Sequence, residues 1–494
     1  MRVLWLLATA SVALAALVAA PTASAHAELV QSRPAKGAVV EDVREVALGF
    51  SEPVETALGM VRVFDPTGRR VDDGELTQRS SREVAVRLRD ELSGGLYTVS
   101  WQVVSADGHR LHGVFVFHLG ARGDLGVSTP ILAGEDTGSA VVDVAFAFTR
   151  FLVFVLILLC LGGAVVLATV VRLDDGVDSV RRRLFGALAL AAVGLVVVSV
   201  VGLPLQAASA GGLPLRDAAR WDSVSAVLDT RFGQMWAWRA WLALTLALVA
   251  LAARRGHELP VPAVIVSGML AVTPAAAGHA SVSGALPFIS DVAHVVAAGV
   301  WAGGLAFLVA ALVLARTNRW RLAARAIPRF SSFAVVALAV LIVAGVANGY
   351  FQVREWHGLW ETTYGLLLVA KVALVVPVLA LGASNRFAVR RLREDVASPR
   401  EQRRFLHAAA AELALLLVVV GVTAVLVNQP PPRTQLEPQS VRKSSTNSAG
   451  EPTTTSAPSA IPRGPSSERT PTRTPHSISS SARNASRSVE SSPA

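Results

Sequence analysis

The sequence predicts a small all-β domain, then an all-α membrane domain of eight helical spans, then a disordered tail. Three observations predict this. Residues 26–120 carry short β-branched segments with period-two alternation. Residues 141–428 hold eight apolar runs, each near the twenty residues that a helix needs to cross a bilayer. The terminus from Gln429 is rich in Pro, Ser and Thr and lacks apolar patterning. A chain of 494 residues that is 52% hydrophobic and only 17% charged is too apolar for a soluble protein. Its formal charge of +10 comes almost wholly from arginine and reads as loop charge facing anionic lipid. No aromatic-and-basic motif points to nucleic acid.

Residues 1–25, "MRVLWLLATASVALAALVAAPTASA", have a basic start, an apolar stretch and the small-residue pattern Ala23-Ser24-Ala25. This is the pattern of a secretory signal peptide, and cleavage after Ala25 makes His26 the first mature residue, outside the cytoplasmic membrane. The strands expected next are "EVALGF", "MVRVFD", "EVAVRLRD", "YTVSWQVVS" and "GVFVFHL", separated by turn formers such as Asp65-Pro66-Thr67-Gly68 and Gly94-Gly95. Short strands at this spacing build a small antiparallel sandwich or barrel. Residues 121–140 read as a linker and 429–494 as the disordered tail.

The eight runs centre on 144–171, 184–209, 236–253, 260–277, 291–315, 331–352, 364–383 and 406–428. With the β domain outside, the loops expected on the inner side hold eighteen arginines and the outer loops only Arg216, Arg220, Arg231 and Arg354. That asymmetry predicts a multi-pass protein of the cytoplasmic membrane with both the β domain and the tail outside.

The single cysteine, Cys160, lies inside an apolar run, so no disulfide framework or thiolate metal site is available. Four methionines in the whole chain leave no Met-rich site for a soft ion. An N-terminal His26 has two nitrogens, the α-amine and the imidazole Nδ1, that can close a chelate ring. The amine, with a reference pKa near 7.7–8.0, gives up its proton to a metal readily. The stretch "VVSADGHRLHG" adds Asp107 and His109, two apart and on one strand face if extended, with His112 three further on. An amine, two imidazoles and a carboxylate form a tetragonal N/O set suited to Cu(II). Taken alone, "DGH" is equally a polar turn in which Asp caps neighbouring amides.

"HAELVQSRPAKGAVV", "VALGFSEPVE" and "YTVSWQVVSADGHRLHGVFVFHLG" resemble the CopC family of periplasmic copper-binding β-barrels, and the eight-span region resembles the CopD family of membrane partners. The resemblance covers about residues 26–428 and describes a single-chain fusion of the two. It implies that the mature N-terminal His and the Asp and His of D-G-H bind Cu(II), which here are His26, Asp107 and His109. Some family members add a Met-rich Cu(I) site. Only Met60 lies in this domain, so a Cu(II) site alone is expected.

Polar residues inside spans are costly in lipid and face protein or a water-filled path. "GHASVSGALPFISDVAHVVAAGVWAGGL" puts His279 at the outer end of the fourth span and Asp291, His294 and Trp301 in the outer part of the fifth, on one helix face by spacings of three and seven. Gly299, Gly303 and Gly304 permit close helix approach. His357 in an outer loop and Glu412 within a span complete a possible copper path. Arg150 and Lys371 read as structural pairing or snorkelling. His279 and His294 read equally as ligands or as structural hydrogen-bonders.

Together these readings describe a non-enzymatic copper-acquisition protein whose partners are the copper ion and the bilayer. Copper export or resistance is the alternative in direction. An oxidative copper enzyme using the histidine brace is a second alternative, disfavoured because about ninety residues make a small substrate face. A haem-binding membrane protein using His279 and His294 is a third. No P-loop is present for ATP-driven pumping.

Overall fold

The computed structural model describes residues 28–105, 108, 110–120, 140–172, 177–257, 259–278, 283–316, 319–353, 356–392, 399–427 and 429, without side chains at 140, 385–392 and 399–403. The signal peptide, nearly all of the linker, and the tail beyond Gln429 lie outside the described residues.

Among the described residues, eight strands form two four-stranded sheets. They are β1 (Leu29–Arg33), β2 (Val39–Val40), β3 (Glu45–Phe50), β4 (Val54–Phe64), β5 (Asp72–Ser80), β6 (Glu83–Leu88), β7 (Gly95–Ser105) and β8 (Arg110–Leu119). One sheet has the order β1-β3-β6-β5 and the other β2-β8-β7-β4. All pairings are antiparallel except that of β2 with β8. The alternation seen in the sequence fills the space between the sheets: Val46, Leu48, Val84 and Val86 face Tyr97, Val99, Val103, Phe115 and Phe117 in one buried cluster. Tyr97 stacks on Phe117 at 5.4 Å, and its hydroxyl donates to Ser93 O at 2.6 Å. Asp72 is buried at the edge of this core, where it accepts from Val63 N at 2.8 Å and pairs with Arg70 at 2.6 Å. Burial opposes ionisation, but these hydrogen bonds win and hold the Asp72 carboxyl below the usual carboxylate range.

One strand departs from simple alternation. Tyr97, Val99, Trp101 and Val103 of β7 point into the core, yet Gln102 and Val104 on the opposite face are also buried, at 8% and 1% exposure. A free sheet face would leave them in water. Here the helical domain covers that face.

Among its described residues, that domain contains eight helices long and apolar enough to cross a membrane, in close agreement with the eight apolar runs. They are α1 (Val141–Val170), α2 (Asp178–Gly211), α3 (Arg231–Arg254), α4 (Pro260–Ala277), α5 (Ala285–Leu314), α6 (Arg319–Val353), α7 (Thr363–Ser384) and α8 (Arg404–Leu426). Helix α1 packs against α2, α4, α5 and α8 and so forms the centre of the bundle. Its approach to α5 is backbone to backbone: a Cβ on Gly162 would lie 2.1 Å from Gly304 N, and one on Gly303 would lie 1.8 Å from Leu158 O. Only glycine fits there, as the small residues of the fifth span predicted. Cys160 is fully buried beside this contact.

Candidate metal centre and membrane path

Strand β7 ends at Ser105 and β8 begins at Arg110, with Val104 opposite Arg110, so the D-G-H stretch falls between two paired strands. Gly108 N donates to Ser105 O at 2.8 Å, closing a β-turn, and Gly108 takes φ +88°, where a side chain is strained. Asp107, His109 and His26 themselves lie outside the described residues. His112 is exposed on β8 opposite Gln102.

The turn is pressed onto the membrane domain. Gln206 of α2 donates from Nε2 to Gly108 O at 2.5 Å, and a Cβ at Gly108 would meet Gln206 Nε2 at 2.8 Å and Phe232 Cδ2 of α3 at 3.0 Å. Further contacts surround this point. Gln102 Nε2 donates to Ala210 O at 3.2 Å, Glu55 Oε1 accepts from Arg231 N at 3.4 Å, and Leu58 packs on Val142, Ala207, Ala208, Ala218 and Val227. The bulge in β4 between Glu55 and Met60 carries Leu58 to that apolar patch.

Two polar regions lie deeper at this same end of the bundle. Beneath the turn, Arg150 of α1 stacks over Phe146 at 4.7 Å and Phe232 at 5.6 Å, and Arg239 of α3 lies 4.9 Å from the Trp236 ring. Arg239 also donates from Nε to Thr273 Oγ1 of α4 at 2.9 Å. Both arginines are buried, at 7% and 2% exposure, so Arg150 does not snorkel; its charge is met inside the protein.

The second region joins α5, α6 and α7. Asn348 Nδ2 donates to Asp291 Oδ1 at 3.4 Å, and Ser290 Oγ donates to Ala344 O at 3.1 Å. His294 lies over Gly345, where a Cβ would sit 3.6 Å from Nδ1. Its Nδ1 is buried without a hydrogen-bond partner among the described residues. The Lys371 ammonium of α7 is close enough to act electrostatically on both Asp291 and His294. Because α5 starts at Ala285, His294 lies about 13 Å along the helix, not the single turn that a span starting at Asp291 implied. A π-helical turn at Gly299–Gly303 interrupts the 3.6-residue period, so Trp301, buried at 6% exposure, is not in regular register with Asp291 and His294.

The other expected path residues are dispersed. His357 is exposed in the α6–α7 connection. Glu412 is buried against Gly382, eleven residues and about 16 Å along α7 from Lys371. His279 lies outside the described residues. Among the described residues, no three His, Cys, Asp or Glu side chains converge on a point. Sequence reasoning passed over Gln206, Arg239, Thr273 and Asn348. A signal existed for each, a polar group within an apolar run, and for Arg239 a full charge as well; none had metal-ligand spacing to single it out.

Three family descriptions match in chain order: "CopC domain" over residues 29–120, "Copper resistance protein D-like, N-terminal domain" over 141–288 and "Copper resistance protein D" over 324–426. "Copper transport protein CutJ" of Bacillus subtilis (strain 168) is 30% identical over 447 residues, spanning 84% of this chain and 76% of the relative. The chain belongs to the CopC–CopD copper family. "Copper resistance protein D" of Pseudomonas syringae pv. tomato is 28% identical over 266 residues, 50% of the CopC–CopD chain and 82% of the relative. The crystal structure of CopC from Methylosinus trichosporium OB3b is 29% identical, covering 20% of this chain and 99% of that one, with a TM-score of 0.19. The CopC–CopD protein is thus a multi-pass inner membrane protein of a copper transport and resistance family, with a CopC β domain docked on a CopD helical domain.

Proposed function

We propose that this CopC–CopD fusion acquires copper: Cu(II) is captured outside the cytoplasmic membrane by His26, Asp107 and His109 and passed inward through the helical domain. The observation that supports it most is the seating of the D-G-H turn on α2 and α3 through Gly108, Gln206 and Phe232. An ion bound at that turn is at the membrane domain from the moment of capture, so transfer is intramolecular and needs no encounter between two proteins. The arginine asymmetry supports placing this end of the bundle, and the tail, outside.

Within the membrane domain the ion is carried by Asp291 and His294. They offer a carboxylate and a buried imidazole nitrogen that no described residue bonds, a combination that suits copper. The region directly beneath the turn is less suited, because Phe146, Phe232 and Trp236 fill it. The chain acts as a carrier with copper as cargo and performs no bond chemistry on it.

Copper content of cells under copper limitation tests the reading. Deleting the gene lowers cell copper, and wild-type protein restores it, whereas His109→Ala does not. The name of the Pseudomonas relative, a resistance protein, favours the opposite direction. In that case deletion raises cell copper and lowers tolerance to added copper, and import is wrong.

A further inference from the structure

Helices α4, α5 and α6 leave a groove of about 640 Å³ between them, lined by apolar side chains that include Val272 of α4, Ile289, Ala293 and Val300 of α5, and Ala337 and Val340 of α6. On α5 the lining residues recur every three or four positions and so share one face. Asp291 and His294 stand two and five residues after Ile289, which at 3.6 residues per turn places them on the other side of that helix. On that other side Asn348 donates to Asp291 and Ser290 donates to Ala344 O, so α5 and α6 are tied along one edge and the groove opens along the other. Ile289 and Val340 of its lining are 60% and 38% exposed.

The groove's dimensions decide what fits it. From Phe288 to Val300 it follows α5 for about 18 Å at 1.5 Å per residue, starting close to the helix end nearest the β domain. One leaflet of a bilayer with a ~30 Å hydrocarbon core is about 15 Å deep. The volume of about 640 Å³ spread over that length leaves a cross-section of roughly 35 Å², less than half that of an α-helix ~10 Å across. A single hydrocarbon chain has that shape, and a helix of a second copy does not. Among lipid tails no hydrophobic gain distinguishes a held chain from a free one, so retention depends on close contact, which walls on three helices provide.

We propose that the α4–α5–α6 groove is a lipid site that holds one acyl chain of a phospholipid from the leaflet on the β-domain side. The small side chains of Ala293 and Ala337 admit the chain, and it wedges the open edge of the α5–α6 pair. The inference is independent of the copper reading and of the direction in which copper moves.

Native mass spectrometry of the full-length protein tests it, after detergent washing and re-lipidation with one phospholipid of defined acyl length. Wild type is expected to retain one such phospholipid per chain. Ala293→Phe, which fills the groove, is expected to lose it, whereas Val376→Phe, on the exposed face of α7 outside the groove, keeps it. Melting of the washed protein should shift upward on re-lipidation in wild type and Val376→Phe and stay fixed in Ala293→Phe. Equal retention in wild type and Ala293→Phe overturns the inference, and so does equal loss in the two variants. A retained mass that matches a detergent or a free fatty acid overturns it as well, and a lipid-free mass of two chains assigns the groove to a second copy instead. If Ala293→Phe does not fold, Val340→Trp blocks the groove from α6, and unchanged retention there overturns the inference equally.

Discussion

The two polar regions at the β-domain end of the bundle have similar depth and opposite character. Under the turn, the arginines of α1 and α3 are stacked on Phe146, Phe232 and Trp236, and Arg239 spends a donor on Thr273. Between α5, α6 and α7, Asp291 and His294 are lightly bonded, with a 3.4 Å contact to Asn348 and an imidazole nitrogen that no described residue uses. A polar residue in a membrane span is costly in either place, but the cost is met differently. Aromatic faces and hydroxyls meet it permanently in the first region, which therefore supports the docked domain. In the second it is met by a 3.4 Å contact to Asn348 and by the charge of Lys371, and one imidazole nitrogen is left without a partner among the described residues.

The largest expected effect lies in the second region. Asp291→Ala and His294→Ala should each reduce copper accumulation to the level of a deletion strain, while full-length protein still binds Cu(II) at its turn and reaches the membrane in normal amount. Normal accumulation in the double variant would sink the path and move attention to Glu412 and His357.

Next in size is the capture site. In full-length protein, His109→Ala, or one residue added before His26, should weaken Cu(II) binding tenfold or more, which is about 1.4 kcal/mol or above. His112→Ala should change it less than twofold, since His112 is exposed on β8 outside the turn. Isothermal titration checks the order, and a larger effect at His112 would show the assignment to be wrong.

Smaller again is Arg239→Leu in the first region. Losing the bond to Thr273 and the contact with Trp236 should lower membrane-domain stability by about 1–3 kcal/mol. Accumulation per folded molecule should stay unchanged. If it falls at constant stability, the two regions are not divided as described.

The smallest effect lies outside both regions. Asp72 has a folded-state pKa below its ordinary value near 3.8, so its ion pair with Arg70 stabilises the β sandwich fully above that pH. The contribution is lost as pH falls through the lower, folded-state value. In full-length protein, Asp72→Asn should flatten the acid limb of β-sheet unfolding monitored by circular dichroism and leave the helical signal unchanged. An identical acid limb would show that the pair contributes nothing there.

Much of the architecture was legible because it depends on periodicity and length, both local properties of the chain. Alternation in "EVALGF" and "YTVSWQVVS" predicted core strands, and all eight spans were placed by apolar length. The glycines of the fifth span predicted a close helix contact without naming α1 as the partner. The candidate ligands His294 and Asp291 were legible as costly residues in lipid. Gln206 and Asn348 were not, because an uncharged amide acquires meaning only from what it touches.

The sequence by itself determined the β domain, the eight spans, the arginine asymmetry and the residue types able to hold copper, since each follows from composition and spacing along one chain. Only the tertiary structure decided that Gly108 takes a positive φ and rests on Gln206 and Phe232. It alone buried the outward face of β7, and it alone separated stacked arginines from an imidazole with a spare nitrogen. The physical reason is that desolvation and hydrogen bonding are properties of a residue's neighbours in space. Those neighbours come from segments about a hundred residues apart, as Gly108 and Gln206 are.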